Sequence, residues 1–147
     1  MAILDAEVMF SNRQAITATA PSANIWDSGP YGRAVGDSGN PVYDVGNSDV
    51  ELLIQVVASF NNLTSLRVDY QVSNDPSFAT GTDTISTETR TLAGGQLAAG
   101  ERFGPVRVPR RAGKRYHRLL YTVTGTAPTQ GAITAAAVDG DSAWFFA

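Results

Sequence analysis

His117 is the only histidine in the 147-residue chain, and the sequence contains no cysteine. General acid–base work at neutral pH calls first on histidine, and it needs a matched partner in a cleft. His117 instead shares strand parity with Leu119, Tyr121 and Val123, an apolar row, so its type and spacing fit a structural histidine. The absence of cysteine removes a thiol nucleophile, a thiolate metal site and a disulfide framework. No G-x-S-x-G elbow occurs, and neither a Walker A loop nor a G-x-G-x-x-G turn opening a helix is found. Asp37, Asp44 and Asp49, with Asp139 and Asp141, offer oxygens to a hard cation, but their spacing is not that of a calcium-binding loop and Asp-Gly pairs are common turn formers. The expectation is a protein with no catalytic residue, metal or cofactor.

Charge is the other chemistry on offer. Formal net charge is −3, yet six of the eleven basic residues fall within 107–118: Arg107, Arg110, Arg111, Lys114, Arg115 and Arg118. No acid lies in that window, so one basic band sits on an acidic body. PRRAGK at 109–114 reads as a hairpin tip, with Gly113 at a positive-φ position. The band can be a solvated turn, a phosphate-binding patch or a docking surface for an acidic protein. Overall acidity and the lack of a nucleic-acid-binding motif disfavour the second, so protein docking is the expectation, without direct nucleic-acid contact. The ending Trp144-Phe145-Phe146-Ala147 is bulky and apolar where chain ends are normally polar, so it must cover the chain's own sheets or a neighbour.

These groups must be positioned by strands. The period that recurs is two: in 64–73, Leu66, Val68, Tyr70 and Val72 alternate with Arg67, Asp69, Gln71 and Ser73. In 50–60, Val50, Leu52, Ile54, Val56, Ala58 and Phe60 share one face, and Asn61-Asn62 joins the two runs as a hairpin. Further strands are expected at 14–20, 82–91, 103–108, 115–125 and 131–138, with short edge pieces at 7–10 and 24–27. The Ala-rich stretch 92–100 is broken by Gly94, Gly95 and Gly100 and allows at most one short turn. About eight strands separated by turn residues give an all-β chain with little or no helix, an antiparallel β-sandwich for which the jelly roll is the natural eight-stranded form.

Residues 1–147 form one domain, long enough to bury roughly 68–70% of the unfolded surface without staples. The opening MAILDAEVMF has no basic region ahead of an apolar run, and no apolar run reaches membrane-spanning length, so neither a secretory signal nor a membrane segment is expected. The segment 29–47 holds five glycines, two prolines and no period, and a loop of that length is usually functional or an extended arm. Its Tyr31 and Tyr43 are candidate contact residues.

Taken together, three stretches resemble the capsid cement proteins of short-tailed phages of the Bordetella-phage type. MAILDAEVMFSNRQAITATAPSANIWDSG is similar to that family's opening block, RYHRLLYTVTGTAPTQGAITAAAV to its late aromatic- and Arg-rich strand followed by an Ala-rich strand, and the run 50–73 to its middle block. The Tyr31 to Tyr43 loop and the WFFA ending have no counterpart in that pattern. The resemblance implies a jelly roll, assembled in the host cytoplasm, that decorates the outside of an icosahedral shell. It would contact the major capsid protein as a dimer or trimer and hold neighbouring capsomers together. The contact residues would be the basic band, Tyr31, Tyr43, Trp144, Phe145 and Phe146. A different class of function, a carbohydrate-binding sandwich, would use Trp26, Tyr31, Tyr43 and Trp144 as stacking platforms, though no two of them sit at strand spacing on one polar face.

Overall fold

The computed structural model describes residues 8–27, 50–108 and 114–138. They form nine strands and, among the described residues, no α-helix. In chain order these are β1 (Met9–Ala15), β2 (Ala20–Pro21), β3 (Trp26–Asp27), β4 (Val50–Ala58), β5 (Leu63–Ser73), β6 (Asp83–Thr91), β7 (Arg102–Val108), β8 (Tyr116–Gly125) and β9 (Ala132–Val138). One sheet has the order β1-β9-β4-β7, and the other β2-β8-β5-β6 with β3 also on β8. Every pairing is antiparallel. β2 and β3 lie along one edge of β8, at Leu120–Tyr121 and at Tyr116–His117, and act as two halves of one interrupted strand. With that pair taken as one, both four-stranded sheets have the strand order of a jelly roll.

Alternation explains why these residues build two facing sheets. Leu52, Ile54 and Val56 on β4 meet Leu66, Val68, Tyr70 and Val72 on β5, with Leu119 and Tyr121 of β8 and Ile133, Ala135 and Ala137 of β9, in one apolar core. The expected phasing of 50–58 and 64–73 is therefore the observed one. Small residues on β9 let Phe10, Tyr70 and Tyr121, which with Phe103 are the largest fully buried side chains, occupy the space between the sheets. Gly131 admits the Phe60 ring: its φ is +134, and a Cβ there would overlap that ring.

Three expectations are corrected. Residues 50–73 are not a hairpin: β4 pairs with β7 and β9, and β5 with β6 and β8, so the 59–62 link crosses between sheets. Two strands with strong apolar rows bury more by facing each other across the core than by lying side by side, and Asn62 at φ 67 turns the chain. For the same reason β7 and β8 belong to different sheets, so the strands that carry Arg107 and Arg118 are not the two arms of one hairpin; the expected tip at 109–113 lies outside the described residues. The first strand, Met9–Ala15, takes in the end of the expected piece 7–10 and only the start of 14–20, because Ile16 turns inward to the core and 17–19 bend away from the ladder.

Candidate functional site

His117 lies on the inward side of β8, 1% exposed. Its ring is 4.8 Å from that of Trp26, its cross-strand partner, and stacks on Tyr70 at 5.8 Å. Phe10 closes the cluster edge-on against both Trp26 and Tyr70. The Tyr70 hydroxyl meets His117 Nδ1. Burial pushes the phenol's ionisation up, so both groups are neutral and share one proton across this contact, while His117 Nε2 is buried without a hydrogen-bond partner among the described residues. Burial also lowers the His117 pKa to about 4, opposed in part by the Lys114 backbone and the charge of Asp27. The ring is thus neutral at physiological pH and sealed in apolar packing, as the apolar row of β8 requires. Trp26, a stacking candidate in the carbohydrate reading, turns its ring to the same cluster and is half-buried.

The described members of the basic band are held by partners within the chain. Lys114 Nζ pairs with Asp83 at 2.8 Å and donates to the Gly81 carbonyl. Arg115 grips Asp27 with two parallel hydrogen bonds, 2.6 and 2.7 Å, and lies over the Tyr116 ring at 5.1 Å. Arg118 donates to Gln71 Oε1 at 2.9 Å and covers the Phe78 ring at 4.3 Å. Arg107 on β7 stands directly opposite Glu51 on β4. Arg110 and Arg111 lie outside the described residues, as do Tyr31, Tyr43, Trp144, Phe145, Phe146 and the aspartates 37, 44, 49, 139 and 141. Among the described residues no cluster of metal-ligating side chains occurs.

Sequence reading missed the partners that give the band its shape. Asp75 accepts from the Ser77 hydroxyl and gathers the amides of Ser77, Ala79 and Thr80, which sets the 75–80 turn and holds its carboxyl below the ordinary aspartate range. That turn carries Phe78 under Arg118, while Asn74 Oδ1 accepts from the Arg115 amide. Asp27 reaches Arg115 because β3 lies beside the start of β8. The N-D-P-S signal identified the turn, but nothing in linear order revealed which cation it would meet.

The interrupted β2–β3 edge is stitched by polar groups of the N-terminal block. Ser22 exchanges two bonds with Leu119, N to carbonyl at 2.7 Å and Leu119 N to Oγ at 3.1 Å. Gln14 accepts from Ser11 Oγ and from the Ala23 amide, so the buried Tyr121 hydroxyl donates to Ser11, at 2.7 Å. These bonds tie β1 of one sheet to the edge of the other. Among the described cations of the band, Lys114, Arg115 and Arg118 are each held against this body by a partner within the chain. A model of the Bbp16 family matches residues 10–138, from within β1 to the last residue of β9. No curated protein matches the chain.

Proposed function

The chain belongs to the Bbp16 family, a name that points to a Bordetella phage protein, and on that footing we propose that it is a structural virion protein, a cement on the capsid exterior. In this reading it binds the major capsid protein, as a dimer or trimer, and stabilises contacts between shell subunits without catalysing a reaction. The observation that carries the reading is that the family match spans the whole sandwich, both sheets included. A β body with Lys114, Arg115 and Arg118 held in place suits repeated docking. Contacts that are individually weak add through multivalency around a shell, so no single interface needs high affinity.

The proposed contact surface is the basic band together with Tyr31, Tyr43 and the Trp144–Phe146 tail. Lys114 and Arg115 serve there by shaping the surface, since their charge is partly compensated by Asp83 and Asp27, while Arg118 keeps its charge and is held in place by Gln71 and the Phe78 ring. Arg110 and Arg111 supply the steering charge toward an acidic shell face. The test is co-sedimentation of the purified chain with undecorated shells of its own phage. Saturable binding at a fixed ratio to the shell subunit supports the proposal. A folded chain that stays in the supernatant at every concentration defeats it.

A further inference from the structure

We propose that β6 is an open sheet edge that takes up an extended, uncharged segment of the shell subunit as an added strand. This rests on the capsid reading above and assigns a docking element to it.

Among the described residues the sandwich has four sheet edges, and three are blunted. β1 departs from its ladder with β9 at two register shifts, and Arg13 adopts φ 49. The β2–β3 edge consists of two-residue pieces, one of which contains Pro21. β7 bulges at Gly104-Pro105, where its register to β4 jumps from Val106 to Phe103, and proline has no N–H to offer. Irregularity, brevity and proline are the usual means of keeping a foreign strand off an edge.

β6 lacks those devices over most of its length. It runs nine residues without proline or glycine. Its eight paired residues all bond to β5, and the single irregularity is Ile85, an extra residue between the Ser86 and Thr84 pairs. Ile85 is 36% exposed, one of only two large apolar side chains among the described residues that stand out into solvent. An edge strand leaves alternate N–H and C=O groups turned away from its one neighbour, and these recognise another extended backbone.

The side chains specify what kind. Thr84, Thr87, Thr89 and Thr91 stand opposite Gln71, Asp69, Arg67 and Ser65 and are all exposed. On the other row Glu88 pairs with Arg90, and Arg90 lies over Phe103 at 5.8 Å, so those charges are neutralised at the mouth of the sandwich. Threonines favour β-branched or hydroxyl-bearing cross-strand neighbours. A row of threonines with its charges spent fits an uncharged strand rich in Thr, Ser, Val or Ile. A second copy of β6 fits poorly: a two-fold ladder centred on Thr87 sets the Ile85 bulge of each copy against Thr89 of the other. A register that avoids both bulges is confined to 86–91, shorter than the ladder already made with β5.

The test is hydrogen–deuterium exchange of the full chain, free and bound to undecorated shells, read on peptides covering 83–91. Binding should slow the outward-facing amides by on the order of tenfold or more, while the β5-facing ones are slow in both states. As a second arm, Ser86→Pro and Thr87→Pro are made separately, because one of two adjacent residues turns its N–H outward and tolerates proline. The variant that retains its melting temperature should lose shell occupancy. Binding with unchanged exchange over 83–91 overturns the edge assignment and leaves shell attachment standing. Failure to sediment with shells overturns the capsid reading and this assignment with it. Protection over 83–91 that grows with concentration of the chain alone places a second copy on the edge and also overturns the assignment.

Discussion

Acidification should weaken the fold through His117 before Asp75 contributes. The unfolded histidine titrates near 6.5, whereas burial holds the folded one at about 4. Because the folded state refuses the proton, this histidine has no effect on stability above 6.5. As pH falls from 6.5 to about 4 the unfolded chain gains a proton that the folded chain does not, and stability declines. The slope is about 1.4 kcal/mol per pH unit, and the loss levels off at about 3 kcal/mol once both states are protonated. Asp75 acts lower: its carboxyl is held below the ordinary value of 3.8, so its contribution is lost only as pH falls through that range. The assay is urea unfolding at a series of pH values for the wild type and for His117→Gln, a variant that cannot titrate. The variant loses the Tyr70 bond and ring stacking, so it starts less stable at neutral pH, but its stability should fall less steeply than the wild type's over this window. A wild type whose stability is unchanged from 6.5 to about 4, or a variant with the same slope, refutes the buried neutral histidine.

Ile54→Ala and Leu66→Ala, one on each sheet, should each cost about 2–5 kcal/mol by chemical denaturation, whereas Ile85→Ala on the exposed edge should stay within roughly 0.5 kcal/mol. Gly131→Ala should destabilise by about 1–3 kcal/mol, read as a lowered melting temperature, because φ +134 is strained for alanine and its methyl displaces Phe60. Arg115→Ala should change global stability by no more than about 1 kcal/mol, since the pair with Asp27 is solvent-exposed, but exchange of the Trp26 and Asp27 amides should quicken as β3 loosens. Reversal of Arg110 and Arg111 to Glu should leave the melting temperature unchanged and slow decoration of shells at low salt, the difference fading toward 1 M, where screening shortens to about 3 Å.

What alternation encodes was legible. The rows Leu52-Ile54-Val56 and Leu66-Val68-Tyr70-Val72 are periodic within one strand, so their faces could be read without knowing their neighbours, and His117 followed from the parity of Leu119 and Tyr121. Pairing was not legible. Asn61-Asn62 reads equally as a hairpin turn or as a bend between sheets, and the choice depends on the apolar area buried across the core, a non-local quantity. Leu97 and Phe78 illustrate the same gap. Each sits in a turn-rich stretch without period, yet Leu97 is fully buried, its carbonyl receiving the Phe60 amide, and Phe78 packs beneath Arg118. For the candidate contact surface, the clustering of cations at 107–118 was visible, but the partners that hold Lys114, Arg115 and Arg118 come from positions 27, 71, 78, 81 and 83, which only the fold brings together.

The capsid reading meets its most direct test in the composition of purified virions. Quantitative mass spectrometry of intact particles, washed free of loosely held protein, should find this chain at a fixed ratio to the major capsid protein from one preparation to the next. Its removal should leave shells that rupture at lower temperature and recover when the chain is added back. Virions that lack the chain, or carry it at a variable and trace level, contradict a cement function.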